Sequence, residues 1–372
     1  MKRNDIYIIG IADGNPDKLG QHVNISDSTY EIKYIGDFEE DSYDYILITS
    51  EQHFEDRRKF LMSQGICGDI VITVEYFIDS IINKTSECNY GISVAAIVKD
   101  EVEYIEEWIQ FHILMGIEHF YIYDNESSDG TTEILKEYEK IGLITYTFWP
   151  GEAQQAAVYS NAIDRFKNNS IYIAFIDADE FLFSVTENKI MDELNQILAQ
   201  YKKSRYPAYE RKPAAIGVNW RTYGTSFYSN KSDGLVIRRF VFRQRANEGL
   251  NAHIKSICNP RAVVRMSIHN AEFVPGYCCI SENGSEIPGP FFRDGRCQRL
   301  RINHYISKSE EEYVKRKKKG DACGDKSTQS EEHIRNAIKY YQTECNEYYD
   351  SILIKYSNLV ENAIKKCQDK YI

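Results

Sequence analysis

The stretch Phe175-Ile176-Asp177-Ala178-Asp179-Glu180-Phe181 hangs two carboxylates on the end of an apolar strand. Ile171 to Ile176 is a continuous run of strand formers, so Asp177 and Asp179 fall where a buried strand emerges into a turn. Alternate residues of an extended segment share a face, and here the shared face is acidic. Such oxygen ligands suit a hard divalent cation bridging a diphosphate, which takes about one or two carboxylates from its protein. The competing reading is a solvated turn, because short Asp-x-Asp strings are common on surfaces.

The upstream context separates the two readings. Ile92 to Val98 reads as a buried strand, and Val102 to Met115 as a helix with Val102, Ile105, Ile109, His112, Ile113 and Leu114 near one face. Phe120 to Tyr123 and Leu143 to Trp149 are further strands. Thr131 to Tyr138 and Ala153 to Phe166 are further helices, the second leading into the Asp177 strand. Strands alternating with helices at this spacing imply right-handed crossovers and a mostly parallel sheet, with ligands beyond the carboxyl ends of its strands. Lys99-Asp100-Glu101, Asp124-Asn125-Glu126-Ser127, Trp149-Pro150-Gly151 and Asp177-Ala178-Asp179 then converge at one edge. Three of these ends carry carboxylates, which a purely structural sheet has no reason to concentrate.

Several segments in a fixed order carry a resemblance. They are Ala96-Ile97-Val98-Lys99-Asp100-Glu101, Glu107-Trp108-Ile109-Gln110-Phe111-His112, and the run from Gly116 to Thr131. Gln155 with Tyr159, the Asp177 to Phe181 signature, Trp220 with Tyr223-Gly224-Thr225-Ser226, Lys255-Ser256-Ile257, and His304-Tyr305 with Lys308-Ser309-Glu310-Glu311 follow. Over roughly residues 92 to 320 the chain resembles glycosyltransferase family 92 and the related bacterial family-2-like transferases. Asp100 departs from the family pattern, which more often has Asn there.

The resemblance implies a GT-A fold that binds a nucleotide sugar, with Mn²⁺ or Mg²⁺ as cofactor. Lys99, Asp100 and Glu101, with Asp124, Asn125 and Gln155, would hold the base and ribose. Asp177 would lie toward ribose and metal, Asp179 would be the more direct metal ligand, and His304 would be the carboxy-terminal histidine that returns to metal and diphosphate. Each has a structural alternative: Lys99 and Glu101 an exposed pair, Asp129-Gly130-Thr131 a turn and helix cap, His304 a satisfied core residue. His253 and His269 read either as acceptor-cleft lining or as satisfied polar groups. The chemistry also needs a base for the acceptor hydroxyl. Inverting GT-A enzymes place it at a helix start after a glycine-bearing loop, which makes Asp233, before an expected helix over Val236 to Arg245, the first candidate and Glu248 the second. Asp233 is equally readable as a turn residue beside Gly234.

The remaining sequence bounds the reading. The 372 residues carry 45 basic and 56 acidic side chains, net −11, which argues against a nucleic-acid binder. No window reaches the roughly 18 apolar residues of a membrane span. Nine cysteines without a paired Cys-x-x-Cys suggest neither a disulfide framework nor structural zinc, and a cytoplasmic location is expected. Residues 1 to 88 read as a small Rossmann-like α/β module with strands at Ile6 to Ile11, Tyr45 to Thr49 and Ile70 to Val74, a helix at Phe54 to Gln64, and no dinucleotide fingerprint. A GT-A domain over 89 to 320 and a helical tail over 321 to 372 follow. The basic run Lys315-Arg316-Lys317-Lys318-Lys319 is either a solvated helix face or a phosphate contact, to the donor or to a lipid-linked acceptor at an anionic membrane. The tail is expected to pack on the catalytic domain or on a second subunit.

The expectation is therefore a metal-dependent transfer of a hexose, galactose by family analogy, from a UDP-sugar to a glycan or lipid-linked acceptor, with inversion. One alternative is a phosphotransferase or phosphatase using Asp177 in an Asp-x-Asp loop. The other is a degenerate, non-catalytic nucleotide-sugar-binding protein.

Overall fold

The computed structural model describes residues 7–25, 28–39, 42–204, 211–246, 248–320 and 326–371. It divides into two compact units, Met1–Lys84 and Thr85–Ile372, so the carboxy-terminal helices belong to the second unit.

In the first unit Ile46–Ile48 and Val71–Thr73 pair in parallel beside the helices Phe54–Ser63 and Val74–Ile82. Ile48, Leu61 and Val71 bury together there. A separate three-stranded sheet contains Ile11–Ala12, Ser28–Lys33 and His22–Ile25. The strand expected over Ile6 to Ile11 is corrected: Ile6 lies outside the described residues, residues 7–10 are not extended in a sheet, and pairing begins at Ile11, opposite Ile32.

The second unit is built on a nine-stranded sheet. Its strands are β1 (Tyr90–Val98), β2 (His119–Asp124), β3 (Ile144–Phe148), β4 (Ser170–Phe175), β5 (Glu180–Ser184), β6 (Lys212–Thr222), β7 (Ile254–Cys258), β8 (Tyr277–Ile280) and β9 (Leu300–His304). The order is β5-β9-β6-β7-β4-β1-β2-β3, with β8 paired to the first part of β6. β1 to β4 run parallel, whereas β7 runs antiparallel to both β4 and β6. The crossovers are α1 (Ile105–Leu114), α2 (Thr131–Lys140) and α3 (Gln155–Phe166), followed by α4 (Ile190–Ser204). Period-2 alternation divides the core: Ile92, Val94, Ala96 and Val98 of β1 pack with α1, while Ala95 and Ile97 pack with Val158, Tyr159 and Ile163 of α3.

Two expected helices differ. Val236 to Arg245 is helical only over α5 (Val236–Arg239), because the chain turns extended at Phe240 and pairs Phe242–Arg243 with Tyr348–Tyr349. The tail is α7 (Glu331–Gln342) and α8 (Ser357–Tyr371), separated by that strand, while α6 (Glu310–Lys319) holds the basic run. α8 also explains why α1 is buried nearly all round. Cys367 takes a contact from Gln110 Nε2 at 3.3 Å, and Gln368 donates to Glu106 at 3.0 Å.

This topology places the site. The parallel strands bring Lys99, Asp124, Trp149 and Asp177 to one edge, as the alternation predicts. Ile257 lies opposite Ala174 in antiparallel register, so Lys255 at the start of β7 sits past the carboxyl end of β4. His304, the last residue of β9, lies opposite both Glu180 and Thr222.

Candidate active site at the strand ends

The turn between β4 and β5, with the first residue of β5, carries three carboxylates with different surroundings. Asp177 Oδ1 accepts from Gln155 Nε2 at 2.5 Å, from Tyr159 OH at 3.0 Å, and pairs with Lys255 Nζ at 3.0 Å. Its side chain is 30% exposed. Glu180 is fully buried, accepts the Asp177 N–H at 3.0 Å and lies 3.8 Å from Lys255. Burial raises its carboxyl well above the usual range, Lys255 opposes this, and neighbouring Asp177 and Asp179 reinforce it. Lys255 is the buried counter-charge: burial alone would lower its pKa, and Asp177 and Glu180 raise it instead.

Asp179 is 8% exposed and keeps its charge. Burial would raise its pKa, but Arg316 and His304 hold it well below the usual range. Arg316 Nη2 lies 3.1 Å from Oδ2, and His304 Nε2 lies 3.4 Å from Oδ1. Neither contact has hydrogen-bond geometry. Asp179 Oδ2 and both ring nitrogens of His304 are buried polar atoms without a hydrogen-bond partner, against the general rule for protein interiors. An imidazole nitrogen and a carboxylate oxygen are suitable donors for a divalent cation whose other positions are filled by diphosphate oxygens and water. Among the described residues no three His, Cys, Asp or Glu side chains gather as a metal cluster, so the chain itself offers this pair rather than a cage.

The other residues singled out in the sequence divide by what already holds them. Asp124 is buried and engaged on both oxygens, accepting from the Ser127 N–H, from Thr132 Oγ1 at 2.5 Å and from Tyr146 OH at 3.0 Å. Asn125 Nδ2 donates to the carbonyls of Trp149 and Gly151, tying the end of β2 to that of β3. Asp100 adopts φ 49° and accepts from Ser128, and the Glu101 N–H donates to Thr131 Oγ1. These groups shape the loop edge. Asp233 is exposed in the turn before α5, and the start of that helix is held by Glu107, whose buried carboxylate accepts the Val236 and Ile237 N–H groups at 2.7 and 3.0 Å. Burial pushes Glu107 up to about 7 against the pull of those donors. Glu248 is exposed and 3.8 Å from Arg245. Neither candidate base shares a hydrogen bond with the Asp177 to His304 group.

Three cations that converge here had no individual role in the sequence reading. Lys255 was only part of a motif. Arg316 and Lys319 were part of a basic run, and their three-residue spacing puts both on one face of α6. Arg316 reaches Asp179, while Lys319 Nζ donates to the carbonyls of Lys99 and Asp100 and pairs with Glu101 at 2.8 Å. Lys315 and Lys318 are exposed. The run is thus neither a wholly solvated face nor a uniform phosphate contact. Beside His304, Trp220 packs at 4.2 Å between ring centroids and stacks on His253 at 4.7 Å, and His269 is 5.2 Å from His253. His253 and His269 each place Nδ1 on a backbone carbonyl, so Nδ1 carries the proton and Nε2 is left as acceptor. Burial and Lys255 push His269 down to about 4.

The family model described as glycosyltransferase family 92 matches residues 89–292, more than half of the 372. The chain belongs to glycosyltransferase family 92. A family-92 protein of Oryza sativa subsp. japonica is 28% identical over 106 residues, covering 28% of this chain and 18% of the relative. One from Arabidopsis thaliana is 32% identical over 107 residues, covering 28% and 18%. One from Caenorhabditis elegans is 27% identical over 112 residues, covering 25% and 22%. The chain therefore spans about a fifth of the length of these family-92 relatives. Among solved structures, S. aureus TarS 1-349 in complex with UDP-GlcNAc is similar at TM-score 0.34 and 9% identity, over 68% of this chain and 72% of that one. The eight described cysteines are free thiols, and Cys323 lies outside the described residues. No described helix is long and apolar enough to cross a membrane.

Proposed function

We propose that this family-92 chain is a metal-dependent glycosyltransferase that moves a hexose from a UDP-sugar to a glycan or lipid-linked glycan. The observation that carries the reading is the pair of buried metal-ligating groups without a hydrogen-bond partner, Asp179 Oδ2 and the His304 ring, at the carboxyl ends of the parallel strands and beside Lys255 and Arg316. Buried donors without partners are costly unless a ligand completes them. Asp179 and His304 would hold the cation, which when bound supplies Lewis-acid neutralisation of the diphosphate. Lys255 and Arg316 add positive charge where the leaving group becomes more negative. Gln155, Tyr159 and Lys255 orient Asp177 toward the donor. The acceptor hydroxyl needs a base, for which Asp233 is the first candidate and Glu248 the second. Galactose as the sugar, inversion at the anomeric carbon, and a role in bacterial surface polysaccharide assembly follow the family analogy.

The phosphotransferase reading has less support, because three donors converge on Asp177 Oδ1 and weaken it as a nucleophile. The test is release of UDP from a panel of UDP-hexoses in Mn²⁺, Mg²⁺ or chelator. Metal-dependent release from at least one donor is expected. An absence of release with every sugar and metal, alongside a phosphorylated Asp177, would overturn the assignment.

A further inference from the structure

Asp179 is a buried charge that needs a cationic neighbour whether or not a ligand is present. Arg316 fills that role, 3.1 Å from the same Oδ2 that has no hydrogen-bond partner. The Arg316 side chain is 31% exposed where that of Asp179 is 8% exposed, so the arginine is the more accessible member of the pair. Its Nη1 donates to the carbonyl of Ile306, in the segment that leaves His304. One turn on, Lys319 is fixed to the end of β1 through Lys99, Asp100 and Glu101, which anchors the helix independently of the Arg316 to Asp179 pair.

We propose that Arg316 is a stand-in cation that exchanges partners on donor binding, pairing with Asp179 in the free protein and with the diphosphate when a divalent cation takes Asp179. The inference rests on the donor and metal reading above. Guanidinium and metal ion compete for one carboxylate oxygen, so metal alone must displace Arg316 without giving it a new partner. A nucleoside diphosphate supplies that partner, and the planar fork of Arg matches phosphate oxygens bidentately. Metal and nucleotide then strengthen each other's binding by the same factor, because linkage is reciprocal. In this scheme Arg316 occupies Asp179 until the donor arrives and then contacts the diphosphate itself.

The experiment titrates Mn²⁺ into the full chain with and without UDP, following free Mn²⁺ by electron paramagnetic resonance. Wild type should bind Mn²⁺ weakly alone and tightly with UDP. Arg316→Gln should bind Mn²⁺ alone about tenfold more tightly than wild type and lose a similar factor of the UDP-dependent gain. Arg316→Lys, which returns the charge, should restore weak binding of Mn²⁺ alone, which repair of a merely structural defect would not produce. Arg316→Met keeps most of the stem and takes the place of Gln if that variant fails to fold. Binding of Mn²⁺ alone by the neutral variant no tighter than by wild type overturns the exchange while leaving the donor reading intact. A wild-type protein in which UDP does not alter Mn²⁺ binding overturns the donor reading and this inference with it.

Discussion

Asp177 and Asp179 are two residues apart and do different jobs. Asp177 is held by Gln155, Tyr159 and Lys255, whereas Asp179 and His304 keep atoms with no hydrogen-bond partner. Asp179→Asn preserves shape but weakens a ligand, and His304→Ala removes one, so both should lose metal-enhanced UDP-sugar binding and turnover together. Titration calorimetry with and without Mn²⁺ checks this, and unchanged metal dependence in His304→Ala would detach β9 from the chemistry. Asp233→Asn should leave donor binding nearly intact and lower transfer about 10²-fold, the share of a general base, which acts only as the acceptor proton leaves. Full transfer in that variant would move attention to Glu248, or to the Nε2 of His253 or His269. The acidic turn was legible because two carboxylates close an apolar strand. Lys255 and Arg316 were not, because a lysine in an apolar run and one arginine among four lysines say nothing about which distant carboxylate they meet.

At the scale of elements, the crossover half of the sheet was readable because β1 to β4 are nearly continuous apolar runs and the helices between them begin at clear turns. In the second half β6, β7 and β8 were not, because they pair between distant segments and their register depends on partners that local periodicity does not encode. The shortened helix shows this: Val236, Ile237 and Phe240 mimic a helical stripe, but the buried Glu107 caps its start and the pairing of Phe242 with Tyr349 ends it early. α6 is set by the capping box of Ser309 and Glu312, and Arg239 pairs with Glu312 at 3.0 Å. Burial would raise the Glu312 carboxyl, but hydrogen bonds from Arg239, Ser309 and Tyr104 bring it down to about 2, against an ordinary 4.5. Its contribution, about 3 kcal/mol, is present above pH 4.5 and lost as pH falls toward 2. Denaturant melts of Glu312→Gln from pH 7 to pH 3 should show a loss at neutral pH that narrows on acidification; a constant gap would remove the network from the account. Trp108, fully buried in α1 with Nε1 donating to the Glu180 carbonyl, should cost about 3–5 kcal/mol when changed to Ala, read in the same melts.

Over the whole molecule, every group assigned to donor or metal lies in the unit that begins at Thr85, and none in Met1–Lys84. A chain of residues 89–372 should therefore keep nucleotide binding with an affinity close to that of the full chain. Loss of binding in that folded piece would assign the first unit a share of the site. Removal of α8 should be far less tolerated, since Val360 is buried in the same core as Trp108 and Phe111, and Cys367 packs against it. The central claim is that one edge of this sheet binds a nucleoside diphosphate through a divalent cation. The most direct measurement is the melting midpoint of the full chain in Mn²⁺, in UDP, and in both, because a ligand that binds only the folded state raises it. The account predicts a rise with both together that exceeds the sum of the separate rises, and its disappearance in Asp179→Asn. A midpoint indifferent to UDP in the presence of Mn²⁺ or Mg²⁺ would contradict it.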